Sequence, residues 1–135
     1  METMTQEQKD LLLKDICSRL PYGVKVKIKY YDDAWKLLAI YTNGTTYAAR
    51  DIGYPIETYF EDCKPYLFPL SSMTEEQSKE LEEIDPEFYS LICENGDICV
   101  SMDVRGYDWL NKYHFDYRGL IRMGFALDAT YLNIY

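Results

Sequence analysis

This 135-residue chain contains no long hydrophobic run, and so no stretch of about 18 apolar residues that would span a bilayer as a helix. No membrane partner is expected. Its opening residues, Met1-Glu2-Thr3-Met4-Thr5, lack the basic and apolar regions of a secretory signal, which makes the cytoplasm the expected compartment. Cysteine is scattered: Cys17, Cys63, Cys93 and Cys99 form no CxxC pair and have no histidine pair nearby. Metal sites concentrate their ligands in short-spaced pairs, so no metal is expected and the thiols read as free and buried. Histidine is rarer still, with His114 the single imidazole. The chain has no Walker loop, GxGxxG, HExxH or EF-hand loop, and no GxSxG elbow surrounds a serine. No cofactor is expected.

Basic residues are missing from the middle of the chain. Positions 53–103 hold 13 acids and 2 bases, whereas 1–52 and 104–135 each balance to within one charge; the net charge of −9 therefore sits in the central third. Segregation of this kind presents an acidic face. It also disfavours direct nucleic-acid binding, which needs clustered Lys and Arg to release counterions.

What is present suffices for one domain that buries about 65–70% of its unfolded surface. Thr5 with Gln8 forms a capping box, and Leu12, Leu13, Ile16, Cys17 and Leu20 recur at helical spacing until Pro21 and Gly23. Lys9, Asp10, Lys14, Asp15 and Arg19 are expected in solvent. A strand follows, with Val24, Val26, Ile28 and Tyr30 on one face and Lys25, Lys27, Lys29 and Tyr31 on the other. The lysine row reads as a solvated or edge-protecting face; an anion stripe is the other reading. Asn43-Gly44 suits a two-residue hairpin pairing Tyr41 with Thr46, Ala39 with Ala48 and Lys36 with Asp51. That register would turn Trp35, Leu37, Ala39, Tyr41, Ala48 and Ile52 to the core.

From Gly53 to Ser72 tyrosine and proline dominate. A short strand near Ile56 to Phe60 and then an extended aromatic wrap are expected, because Pro65 and Pro69 argue against a central strand. Thr74 and Gln77 make a second capping box for an acidic helix ending before Asp85-Pro86. A second hairpin is expected at Glu94-Asn95-Gly96-Asp97, with Cys93 and Cys99 on opposite faces. A helix near Asp108 to His114, a second helical turn capped by Asp116 and closed by Gly124, and an apolar tail complete the chain. The expected fold is α+β: a single domain over 1–135, an antiparallel sheet with the option of a small curled barrel, an N-terminal helix and further short helices.

The one place for imidazole chemistry is His114. Asp116 or Asp108 would orient it as a general base and Arg118 would clamp an anion, as in a small hydrolase or transferase. The structural alternative is a histidine hydrogen-bonded in the turn after a helix. Glu75, Glu76, Glu82 and Glu83 read as solvated helix surface. Tyr59, Tyr66, Glu80 and Glu83 are the candidate binding residues: tyrosine, present 14 times, is enriched at interfaces.

Three segments resemble a family of small uncharacterised proteins from gut Bacteroidales and their phages or prophages. They are Leu12-Leu13-Lys14-Asp15-Ile16-Cys17-Ser18-Arg19-Leu20-Pro21-Tyr22-Gly23-Val24-Lys25, then Lys64-Pro65-Tyr66-Leu67-Phe68-Pro69-Leu70-Ser71-Ser72-Met73-Thr74, and finally Asp108-Trp109-Leu110-Asn111 with His114-Phe115-Asp116-Tyr117-Arg118-Gly119-Leu120-Ile121. The segment from Asp85 to Tyr107 matches least. The resemblance implies a mobile-element accessory protein and brings no catalytic residues. The leading expectation is thus a non-catalytic interaction protein with a protein partner. A His114 enzyme, or an acidic nucleic-acid mimic using Glu80 and Glu83 against a host DNA-binding protein, are the alternatives.

Overall fold

Thr5 opens the first helix with both halves of its capping box: Thr5 Oγ1 accepts from the Gln8 N–H, and Gln8 Oε1 accepts from the Thr5 N–H. The structure, a computed structural model, describes residues 4–86 and 104–135; the expected hairpin around Asn95-Gly96, with Cys93 and Cys99, lies outside them. Helix α1 (Gln6–Arg19) buries Leu12, Asp15, Ile16 and Arg19. These are the i, i+3, i+4 and i+7 positions of one helical stripe, so Asp15 and Arg19 leave the solvent face assigned to them above. Cys17 is exposed rather than buried. A 3-10 turn over Leu20–Tyr22 and a left-handed Gly23 then stop the helix.

Strands β1 (Lys25–Ile28), β2 (Ala34–Ile40), β3 (Thr45–Ala49), β4 (Ile56–Tyr59) and β5 (Cys63–Pro69) run antiparallel in the order β4-β3-β2-β1-β5. Val24, Val26 and Ile28 point inward as their alternation requires. Tyr30 does not: the chain leaves the strand after Ile28, and Tyr30, at φ 74°, stands in solvent.

The β2–β3 turn is one residue longer than expected. Tyr41 N–H bonds to Thr45 O at 2.8 Å and Gly44 N–H to Tyr41 O at 3.0 Å, leaving three residues in the loop and Gly44 at φ 89°. This is a turn followed by a glycine bulge, the next most common hairpin closure after the two-residue turn. Ile40 therefore pairs with Thr46, and Lys36 meets Ala49 instead of Asp51. A register shift between Leu37 and Ala39 then reverses the inward parity. Trp35 and Leu37 stay buried, while Leu38 and Tyr41 are exposed; Ile52, beyond β3, is exposed too.

Despite its prolines, β5 is a central strand. Leu37 N–H bonds to Val24 O, so by alternation Val26 directs its polar groups toward β2. Its cross-strand partner on the other side, Pro65, stands where β1 requires no donor. The missing N–H costs nothing there.

After α2 (Glu75–Ile84), whose Thr74–Gln77 capping box is complete, the described chain resumes with α3 (Val104–Lys112). Two-residue strands β6 (Phe115–Asp116) and β7 (Leu127–Asp128) both pair parallel to β5, flanking the turn α4 (Leu120–Met123). The seven-stranded sheet is thus mixed and does not close into a barrel. Helix α1 covers it through Leu12, Ile16, Val24, Leu37 and Leu67. A second apolar group joins Val26, Ile28, Trp35, Ala48 and Cys63. A third holds α2 to α3 through Leu81, Trp109, Leu110 and Phe115. Among the described residues no helix is long and apolar enough to cross a membrane.

Candidate functional site

The segment from Leu110 to Arg118 folds against α1. Arg19, with no exposed side-chain area, donates from Nε and Nη2 to the two carboxylate oxygens of Asp15 at 2.9 and 3.0 Å. Its remaining donors reach Phe115 O at 2.6 Å and Leu110 O at 3.4 Å. Arg118 adds a second cation, donating from Nη1 to Asp15 Oδ1 at 2.9 Å. The Tyr117 ring lies by both guanidinium groups, 4.5 Å from Arg118 and 5.4 Å from Arg19, and its hydroxyl donates to Asn111 Oδ1. A buried ion pair is tolerable only when its hydrogen-bonding capacity is filled, and here backbone carbonyls and a second arginine fill it.

His114 sits beside this network, at φ 63° just past the end of α3. Its ring stacks on Tyr135, with centroids 4.0 Å apart and planes 18° apart, and the Tyr22 backbone favours its protonated form. Nδ1 is buried with no hydrogen-bond partner. Burial first, and the Arg19 charge second, push the imidazole down to about 4, so it is neutral near pH 7. A general base must reach its substrate's proton, and this one is covered by Tyr135.

The acids chosen to orient it do other work. Asp116 accepts the Leu120 N–H on Oδ1 and the Ile121 N–H on Oδ2, at 3.0 and 2.9 Å; it caps α4 from within the chain. Asp108 is exposed on α3. Arg118 is held by Asp15 instead of standing open for an anion. His114, Asp116 and Arg118 are brought into one neighbourhood, yet each is committed to the fold. Asp15, Arg19 and Tyr135 were absent from the sequence-based site. The first two carried a signal, since they share the Leu12–Ile16 stripe.

The binding candidates divide in the same way. Tyr66 is buried, and its carbonyl accepts from the Tyr135 hydroxyl at 2.8 Å. Glu80 accepts from Trp109 Nε1 at 3.0 Å and from the Tyr113 hydroxyl at 3.4 Å, anchoring α3 to α2. Glu83 is exposed on α2. Tyr59 is 61% exposed at the end of β4. Of the thiols, Cys63 is buried beside Thr46 Oγ1 at 3.8 Å, and burial raises it to about 11, far from a reactive thiolate. Among the described residues no group of three or more His, Cys, Asp or Glu side chains is placed to hold a metal ion.

Among the described residues one surface remains open. Strand β4 is the outer strand of the sheet. The Phe60 N–H bonds to Gly44 O, so alternation aims the backbone groups of Thr58 and Ile56 at β3 and those of Glu57 and Tyr59 outward. Around this edge Tyr54 is 91% and Ile52 79% exposed. Comparison with protein-family models, curated proteins and solved structures finds no match to this chain.

Proposed function

We propose that this chain is a non-catalytic interaction protein that binds another protein through the β4 edge, as an accessory factor of a bacterial mobile element or phage. The supporting observation is the coincidence of an outward-facing strand edge with Tyr54, Tyr59 and Ile52 in solvent. Unpaired strand edges template the addition of a partner strand, and exposed aromatics supply contact area at low entropic cost. The buried, stacked imidazole of His114 gives the hydrolase reading no support, and the structural bonds of Glu80 weaken the nucleic-acid mimic.

The test is affinity capture from nuclease-treated host lysate with wild type, Glu57→Pro and Tyr54→Ser/Tyr59→Ser. Proline at position 57 deletes an outward N–H while leaving the β3 ladder intact. One stoichiometric protein retained by wild type and lost by both variants is the expected result. Retention unchanged in both variants removes β4 as the interface.

A further inference from the structure

Alternation along the strands turns a set of polar residues to the face of the sheet that α1 does not cover. Val26, Trp35, Leu37, Ala48 and Cys63 are buried on the inner face, so Lys25, Lys27, Lys36, Tyr47 and Lys64 stand on the outer one. There Lys27 is the cross-strand partner of Lys64, and Lys25 that of Lys36. Four ammonium groups thus gather on three adjacent strands, β5-β1-β2, within a chain of net charge −9.

Like charges directly opposite each other destabilise a strand pair. Protection of a sheet edge does not account for them, because β1 lies between β2 and β5. The Lys25 ammonium donates to Ile134 O at 2.6 Å. Among the described residues the ammonium groups of Lys27, Lys36 and Lys64 have no ion-pair or hydrogen-bond partner. An aromatic platform adjoins them on the same face. Leu38 and Tyr41, farther along β2 from Lys36, are exposed, and the Tyr41 ring meets that of Tyr47 edge to face with centroids 5.7 Å apart. The Tyr47 hydroxyl donates to Glu57 Oε2 at 3.3 Å. Glu57 is the one acid that β1–β5 place on this face.

We propose that the outer face of the sheet binds single-stranded RNA, with phosphates at Lys27, Lys36 and Lys64 and a base stacked on Tyr41. Single strands are held by cationic groups that follow the backbone beside aromatic rings on which bases stack, and here the two are adjacent. A duplex keeps its bases paired and would leave the platform unused. Glu57 favours RNA over DNA, because a ribose 2′-hydroxyl can donate to a carboxylate and a deoxyribose has no such group. Lys and Arg are unclustered along the sequence; the sheet supplies the cluster that counterion release requires. This site lies on the face of the sheet and does not depend on the β4 edge.

The test is fluorescence anisotropy of a short labelled oligouridine titrated with the full chain, repeated on Lys27→Gln/Lys36→Gln/Lys64→Gln and on Tyr41→Ser. The deoxyuridine counterpart, the duplex with oligoadenosine, and heparin serve as competitors. Oligouridine is expected to bind saturably and more tightly than any of the three. Its affinity should fall with salt at a logarithmic slope of about −2, as three phosphate contacts on a single strand give. The lysine variant is expected to bind at least tenfold more weakly and with a flatter slope. Tyr41→Ser is expected to lose about tenfold while keeping the slope, since it removes stacking and no charge. Melting curves accompany both: the lysine variant removes a repulsion and melts no lower than wild type, and Tyr41→Ser alters an exposed position. No saturable binding overturns the proposal. So does deoxyuridine, duplex or heparin binding as tightly as oligouridine, or wild-type affinity for RNA in either variant.

Discussion

Arg19 and Asp15 face each other one turn apart on α1, joined by two hydrogen bonds and without exposed side-chain area. Their pairing ties α1 to the segment after α3, since Arg19 also bonds to the carbonyls of Leu110 and Phe115. Replacing Asp15 by Ala strands a buried guanidinium and is expected to cost about 3–5 kcal/mol in urea denaturation. Asp15→Leu/Arg19→Leu should cost less than the sum of the single replacements, because neither buried charge is then left without its partner. Strict additivity would show that the two charges do not interact.

Tyr135 bridges β1 to β5 one step beyond their last paired residues. Its hydroxyl accepts from the Lys25 N–H at 2.9 Å and donates to Tyr66 O at 2.8 Å, and burial raises its pKa. Tyr135→Phe keeps the ring on His114 but leaves both backbone groups without this partner. A loss of about 1–3 kcal/mol is expected, with faster hydrogen exchange at the Lys25 amide. Unchanged exchange there would show that the bridge contributes nothing.

The pH dependence follows from His114. Its folded pKa, about 4, lies below the ordinary value near 6.5, so between these values the unfolded chain binds the proton more readily. The stability contribution is complete above about pH 6.5 and falls away as the pH drops toward 4, by up to roughly 3 kcal/mol. His114→Asn tolerates the left-handed backbone and cannot titrate. Denaturant midpoints from pH 7 to 4 should fall less steeply for this variant than for wild type; parallel curves would rule His114 out as the source.

Glu80 holds Trp109 Nε1 from an exposed position, so the bond is partly screened. Glu80→Ala is expected to cost about 1 kcal/mol and to change the fluorescence emission of the tryptophans, of which Trp35 is the only other. Glu83→Lys, on the open face of α2, should leave both unchanged. Equal effects of the two substitutions would show that the Trp109–Glu80 bond does not form.

Local sequence was sufficient wherever an element is stabilised by its own neighbours. Both capping boxes and the stops at Gly23 and Asp85 follow from backbone groups that only nearby side chains can satisfy. The alternation of β1 was equally legible, because it reports which face is buried. Asp15 and Arg19 shared a stripe with Leu12 and Ile16, but their charge argued for solvent until a neutralising partner network was in view. His114 was found as a residue; the Tyr135 ring that covers it comes from 21 positions away.

Sequence alone thus determined the α+β class, the α1 and α2 boundaries and the inward face of β1, since hydrogen bonding and periodicity act over a few residues. Tertiary structure decided the three-residue hairpin loop, the central place of a proline-bearing β5 and the burial of an ion pair. It also decided that His114, Asp116 and Glu80 serve the fold. Each of these turns on which distant group supplies a hydrogen-bond partner or excludes water, and chain contact brings those groups together only after folding.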